Sequence, residues 1–312
     1  MKSKLKDKLP ASSSFEFLTY DPSAPLQPPP DLSVKKDAFW SYCGPLLTSE
    51  GDLPPSLHDW AEAVLRGSLL PLLLPFLAFV NEFLAAEGLD HYWLTIRATK
   101  ATSEFDQPRW HTDDLFFSRG GSGLREPPSS SPSSTTTVSS TPSQSALSKK
   151  IKTKTKKPQA STLEPSPQLD LQTTYKLCTT LLGPSTLFIP SPSQALARRT
   201  SHTTKRTLTT PHPCTSLRCL ACASTSESVR ASLARSLAKL GQAQARAGQA
   251  ALFRIGSEEG AVHSEPALGG GDRVFVNVVP GKRAELAGLV RRWGMSFPRS
   301  WWIAPGVGRE GR

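Results

Sequence analysis

From about residue 118 to 172 the chain has no apolar periodicity: "SSSPSSTTTVSSTPSQS" gives way to "KKIKTKTKKP". A segment of this kind cannot bury enough surface to offset the entropy of ordering its backbone. A core must therefore draw on residues from both sides of it. A second irregular stretch, at about 191–226, imposes the same condition again. The first 35 residues, ending near "PLQPPPDLSVKK", are Pro/Ser-rich and are expected to form a disordered tail. What remains is a set of short periodic segments that must meet across long gaps.

Two of the earliest segments read as helices. In "DLPPSLHDWAEAVLRG", Ser56 stands three positions before Asp59 in a capping-box-like start. Leu57, Trp60, Val64 and Leu65 recur at helical spacing, and Gly67 is the stop. A second helix is expected over about 74–87, closed by Gly88. "HYWLTIRATKA" at 91–101 alternates and is rich in aromatic and β-branched residues, which predicts a strand. "TTYKLCTTLLGPSTLFIP" predicts two short strands flanking a Gly183-Pro184 turn. A helix-prone stretch at about 227–249 comes next, rich in Ala, Leu and Arg. "ALFRIGSEEGAVHSEP" and "GGGDRVFVNVVPG" supply further strands, and "KRAELAGLVRRWG" a last helix stopped by Gly294. No internal repeat is visible. Helices first, then strands interrupted by insertions, suit an α+β domain over 36–312: a β-barrel or sandwich with helices on one side.

The formal net charge of +11 suits an acidic partner such as nucleic acid, or reflects basic residues gathered in solvated insertions. Residues 149–157 read equally as a nuclear-localisation tract or as a solubilising basic segment. Five cysteines in a chain of this length are no disulfide framework and point to a reducing compartment. The most apolar run, "LLPLLLPFLAFV", has twelve residues and two prolines, too short to cross a bilayer. No apolar h-region follows the basic start. The expectation is a soluble, cytoplasmic or nuclear protein without a membrane partner.

"RWHTDDLFF" at 109–117 leaves two readings open. It holds two ligands of a metal ion, or one ordinary histidine beside surface carboxylates. Positions i and i+2 of a strand share a face, so His111 and Asp113 would project together, away from Trp110, Thr112 and Asp114. An imidazole and a carboxylate are two legs of the facial triad that holds non-haem Fe(II) with open positions. His263 in "AVHSEP" is the candidate third leg. Arg273 follows ten positions later and opens the strand "DRVFVNVV". Its planar fork matches a carboxylate through two parallel hydrogen bonds, although a strand-end arginine also snorkels to solvent.

His-x-Asp, a distal His and a basic residue ten positions on resemble the Fe(II)/2-oxoglutarate-dependent dioxygenases, in particular their prolyl-hydroxylase-like branch. The chain resembles more closely a family of no assigned activity that shares three blocks. Here these blocks are Trp110 to Asp113, "TYKLCTTLLGPST" and "VHSEP…DRVFV", within roughly 90–280. The first resemblance implies a double-stranded β-helix, or jelly roll, with supporting N-terminal helices and disordered insertions at about 118–172 and 191–226. It implies His111, Asp113 and His263 as iron ligands and Arg273 as partner to the distal carboxylate of 2-oxoglutarate. Tyr175 would offer a phenol to the same carboxylate. The implied cofactors are Fe(II) and 2-oxoglutarate, and the implied activity is hydroxylation or demethylation of a substrate that the motifs do not name, small molecule or macromolecule. Asp114 beside Asp113 leaves open a shifted register with the wrong carboxylate.

Other signals are weaker. Cys214, Cys219 and Cys222 have C-x4-C-x2-C spacing with His212 upstream, a possible tetrahedral zinc set. Such sites usually use two separated pairs, and the expectation is thiols without a metal. No G-x-S-x-G elbow or P-loop is present. Trp301 and Trp302 are expected to cap the core. The alternative to an oxygenase is a non-catalytic barrel acting as a binding or scaffold module, with nucleic acid held by the basic insertions.

Overall fold

The computed structural model describes residues 13–24, 31–115, 174–209, 214 and 219–302. They belong to one compact unit, 1–124 together with 170–312. The expected insertion at 118–172, with its basic tract, falls outside the described residues.

Antiparallel strands and five α-helices make up the described unit. The strands are β1 (Phe15–Thr19), β2 (Ser33–Val34), β3 (Ala38–Pro45), β4 (Leu65–Arg66), β5 (His91–Thr99), β6 (Tyr175–Leu182), β7 (Leu187–Phe188), β8 (Ala243–Gln244), β9 (Gln249–Arg254), β10 (His263–Ser264), β11 (Arg273–Gly281) and β12 (Arg299–Trp302). The helices are α1 (Pro55–Val64), α2 (Leu70–Ala86), α3 (Gln194–Leu208), α4 (Leu220–Ala238) and α5 (Arg283–Arg292). A seven-stranded sheet has the order β1-β9-β6-β11-β5-β3-β12, and a three-stranded sheet the order β10-β7-β8. The expected α+β mixture is present.

Alternation in β5, β6 and β11 gives the large sheet two different faces. On one face Leu94, Ile96, Leu177, Val276 and Val278 are fully buried. The N-terminal helices dock there. Trp40 Nε1 donates to Ser56 Oγ of α1 at 3.0 Å, and Tyr20 lies edge-on to Phe76 of α2 at 5.4 Å while sharing a hydrogen bond with Thr179. Pro55 starts α1 at a position where its missing N–H costs nothing, and α2 likewise has a proline in its first turn. The other face carries Arg273, Phe275, Cys178, Lys176 and Phe253, and the small sheet packs onto it. Phe188 of β7 stacks on Phe15 at 4.7 Å and meets Phe253 edge-on at 5.5 Å.

Two expectations need correction. The supposed tail at 1–35 contains β1, which pairs with β9 along its whole length because Phe15 and Phe17 fill the inner face. The supposed irregular stretch at 191–226 contains α3 and the start of α4. These helices bury Ala197, Leu233 and Leu237 against Leu187 of the small sheet and against Trp110, Ile189 and Val262. Their polar faces hid a narrow apolar stripe. As expected, β6 and β7 flank the Gly183-Pro184 turn, and they lie in different sheets. The chain crosses there from one sheet to the other.

Trp301 lies edge-on to Trp93 at 5.3 Å, beside the cluster of Cys43, Val279 and Leu286. No described helix is long and apolar enough to cross a membrane.

Candidate metal centre

His111 and His263 face each other in an isolated antiparallel bridge on the margin of the small sheet. Each backbone N–H donates to the other's carbonyl at 2.9 Å. The bridge fixes both Cα positions and places the two rings on the same side, with centroids 4.4 Å apart. Trp110 points the other way, into the cluster beneath α3 and α4. Asp113 returns to the histidine side, and its carbonyl accepts from Gly256 N–H at 2.7 Å. Asp114 is exposed, so the register is the one expected.

The ring nitrogens are set by backbone carbonyls. Nδ1 of His111 lies 2.6 Å from the Arg109 carbonyl, and Nδ1 of His263 lies 2.9 Å from the Ala261 carbonyl. A carbonyl can only accept, so Nδ1 carries a proton in both rings, and in the neutral form of each ring Nε2 holds the lone pair. Each Nε2 is 3.6 Å from the same oxygen, Asp113 Oδ1. That distance is too long for a hydrogen bond. Ligands bound at right angles to one cation at 2.0–2.2 Å stand roughly 3 Å apart, so a contraction of about half an ångström would seat a metal. One ligand atom from each residue lies within 4.8 Å of the other two, and the group can hold a metal ion.

The electrostatics agree with that donor set. Burial alone would raise the Asp113 carboxyl, but the His111 ring and the Lys176 charge hold it well below the usual carboxylate range. Burial pushes His263 down to about 4 against the pull of Asp113. For His111 burial is outweighed by the Asp113 carboxylate, and its pKa is raised. Near neutral pH the site therefore presents an ionised carboxylate and at least one neutral imidazole, as metal coordination requires.

Lys176 is the residue that sequence reasoning missed. Its Nζ holds Asp113 Oδ2 at 2.9 Å and leaves Oδ1 to the histidines. A signal was present: a single charged residue alternating within "TYKLCTT", the same kind of signal that marked Arg273. Glu265, two residues past His263, was missed as well. Its charge reaches both His111 and Arg273, and its Oε2 is buried without a hydrogen-bond partner among the described residues.

Arg273 is buried on the same inner face. Its Nε donates to the Pro184 carbonyl at 3.0 Å, its Nη2 to Thr186 Oγ1 at 3.2 Å, and its guanidinium lies 4.5 Å above the Phe275 ring. Burial lowers its pKa to about 10, which keeps it charged near neutrality. The buried Cys178 thiol feels both Arg273 and Asp113, so the guanidinium and the centre share one electrostatic environment. Tyr175 is not part of it. It pairs with Arg254, whose guanidinium lies 5.7 Å from its ring, on the sheet face opposite Lys176 and Phe253. β6 meets β11 near Arg273 at Leu182, so Tyr175 stands roughly 20 Å away along the strand. Thr186 is the hydroxyl that reaches Arg273.

A cavity of about 650 Å³ opens beside His111, with Arg109, Lys205, Arg230, Leu233 and Glu265 among its walls. That volume falls in the range of small-molecule sites. Comparisons with protein-family models, curated proteins and solved structures gave no match.

Proposed function

We propose that the protein is an Fe(II)- and 2-oxoglutarate-dependent oxygenase, with the two facing sheets as a double-stranded β-helix. The observation that carries the reading is the approach of two Nε2 lone pairs and Asp113 Oδ1 to one point, on the same inner face as a buried arginine. Two imidazoles and one carboxylate are the donor set of a facial iron triad, and three donors leave open positions for other ligands. When bound, iron and 2-oxoglutarate supply the oxidising chemistry. Together they would couple decarboxylation of 2-oxoglutarate to oxidation of a substrate.

The chain's own residues then have distinct tasks. His111 and His263 present Nε2 because the Arg109 and Ala261 carbonyls hold their Nδ1 protons. Lys176 occupies Asp113 Oδ2 and would leave Oδ1 to a metal. Arg273, with Thr186 beside it, offers its remaining N–H groups to a carboxylate in a low-dielectric setting. Phe188 and Phe253 lie 5.7 and 5.0 Å from the His263 ring and keep water from that side. The cavity beside His111 would admit the substrate.

The test is succinate formation by the full-length protein given Fe(II), 2-oxoglutarate and oxygen, with decarboxylation followed in the absence of prime substrate. Turnover that disappears in H111A and H263A supports the reading. Metal binding without succinate in the folded wild-type protein would reduce it to a metal-holding scaffold.

A further inference from the structure

The cavity that His111 borders is also lined by a second set of metal-binding atoms. Cys219 is the N-cap of α4, with φ −66° and ψ 118°, and Cys222 follows three residues later. Residues at that spacing lie on one helix face. Cys214 joins them, and the three sulfurs lie within 4.8 Å of one another. Sulfurs bound tetrahedrally to one Zn²⁺ at 2.3 Å stand roughly 3.8 Å apart, so little movement is needed. Cys214 and Cys222 also line the cavity that His111 borders.

We propose that Cys214, Cys219 and Cys222 form a thiolate site for Zn²⁺ that closes this wall of the cavity. The sequence expectation of thiols without a metal rested on the usual arrangement of two separated pairs, whereas here the start of α4 presents two of the three sulfurs. The positive end of the helix dipole favours thiolate there. Water completes the coordination in this exposed position, unless a fourth side chain does so. His212, two residues before Cys214, lies outside the described residues and is tested as a variant. The site is independent of the proposed oxygenase activity.

The experiment uses full-length protein carrying H111A and H263A, prepared with reductant and titrated with Zn²⁺ and, separately, Co²⁺. The expected result is one tightly bound Zn²⁺ and thiolate-to-cobalt charge-transfer absorption, which a His/Asp/His centre cannot produce. C222S or C214S should weaken Zn²⁺ binding about 100-fold or more and remove the absorption, whereas C43S should change neither. A loss in H212A would identify the fourth ligand, and its absence would assign that position to water. If the double histidine variant does not fold, the Co²⁺ spectra of wild type and C222S are compared directly. Absence of the charge-transfer band, its survival in C214S and C222S, or a disulfide among the three cysteines in reduced, metal-loaded protein would overturn the proposal.

Discussion

His111 and His263 are directly opposite each other, exchanging both backbone hydrogen bonds in a two-residue bridge, although α3, α4 and more than a hundred other residues separate them in the chain. The pairing makes the relative position of two ligands a property of the backbone, with no reliance on long side chains. A site held in this way loses little entropy when a cation arrives, which is the physical meaning of preorganisation.

Lys176 gives a test that separates a metal site from a purely structural ion pair. In the metal-free protein its ammonium is the charge that balances Asp113. Removing one partner of a largely buried pair strands the other, at a cost of about 1–3 kcal/mol here, since both side chains keep some solvent contact. K176M should therefore lower the melting temperature of the metal-free protein. Adding a divalent cation should close most of the gap, because the cation takes over the balancing of Asp113. Melts with and without Mn²⁺ measure this. An equal loss in both conditions would show that Lys176 supports the fold alone.

How much of this was legible in advance depended on whether a contact leaves a periodic trace. β5 and β11 were visible because apolar residues alternate along them, and their pairing runs from Arg273 opposite Thr99 to Gly281 opposite His91. The same alternation put His111, Asp113 and Arg273 on the correct faces. β1 was hidden because five residues inside a Pro/Ser-rich stretch look like a tail until β9 pairs with them. α3 was hidden because its buried stripe, Gln194, Ala197 and Ser201, contains no large apolar residue. Tyr175 was misplaced because adjacency to a motif says nothing of distance along a strand. Lys176 belongs to Asp113 through a contact between β6 and a segment 63 positions away, which no local pattern encodes.

Acid should destabilise the metal-free protein in a window set by His263. Burial depresses its folded pKa to about 4 from an ordinary 6.5. Between those values the unfolded chain binds the proton and the folded one does not, so stability falls as pH falls. The stabilisation is fully present above about 6.5, and up to about 3 kcal/mol is lost by pH 4. Asp113, whose folded pKa is also depressed, adds a loss below its ordinary 3.8. The raised pKa of His111 acts in the opposite direction and makes the fall shallower. Denaturant titrations of chelator-treated protein at several pH values should show this slope, and H263N should flatten it between pH 6.5 and 4. An unchanged slope in H263N would locate the acid sensitivity elsewhere.

Under the proposed oxygenase reading, Arg273 should matter for 2-oxoglutarate more than for fold. Its fork is held by the Pro184 carbonyl and Thr186, so only its remaining donors are offered outward. R273K keeps the charge but not the planar pair of bonds. It should raise the KM for 2-oxoglutarate about 10- to 100-fold with a smaller effect on kcat, and R273Q should do so more severely. T186V, which removes the hydroxyl and keeps the shape, should give a milder version of the same change. Decarboxylation kinetics at varied 2-oxoglutarate measure all three, with thermal melts as the folding control. A KM unchanged in folded R273K would remove Arg273 from the cosubstrate site.

Gly183 should prove the most sensitive backbone position near that arginine. Its φ of +81° lies in the left-handed region, and an added Cβ would stand 2.3 Å from the Asp272 carbonyl oxygen, with Arg273 Cα at 3.3 Å. Both atoms belong to backbone and cannot rotate away. Asp272 is itself anchored, its carboxylate accepting from Val34 and Ala101 N–H groups, so the clash cannot be relieved on that side. G183A should therefore cost about 1–3 kcal/mol, measured by chemical denaturation. It should also move the Pro184 carbonyl that orients Arg273, so KM for 2-oxoglutarate should rise while metal affinity at His111, Asp113 and His263 stays near wild type. G269A is the control. That glycine also has a positive φ, +57°, but open space around its would-be Cβ. It should lose only the cost of the left-handed conformation, about 1 kcal/mol, with no change in KM. Equal effects of the two substitutions on stability and KM would mean that the close approach of the Gly183 turn to Asp272 plays no part in placing the guanidinium.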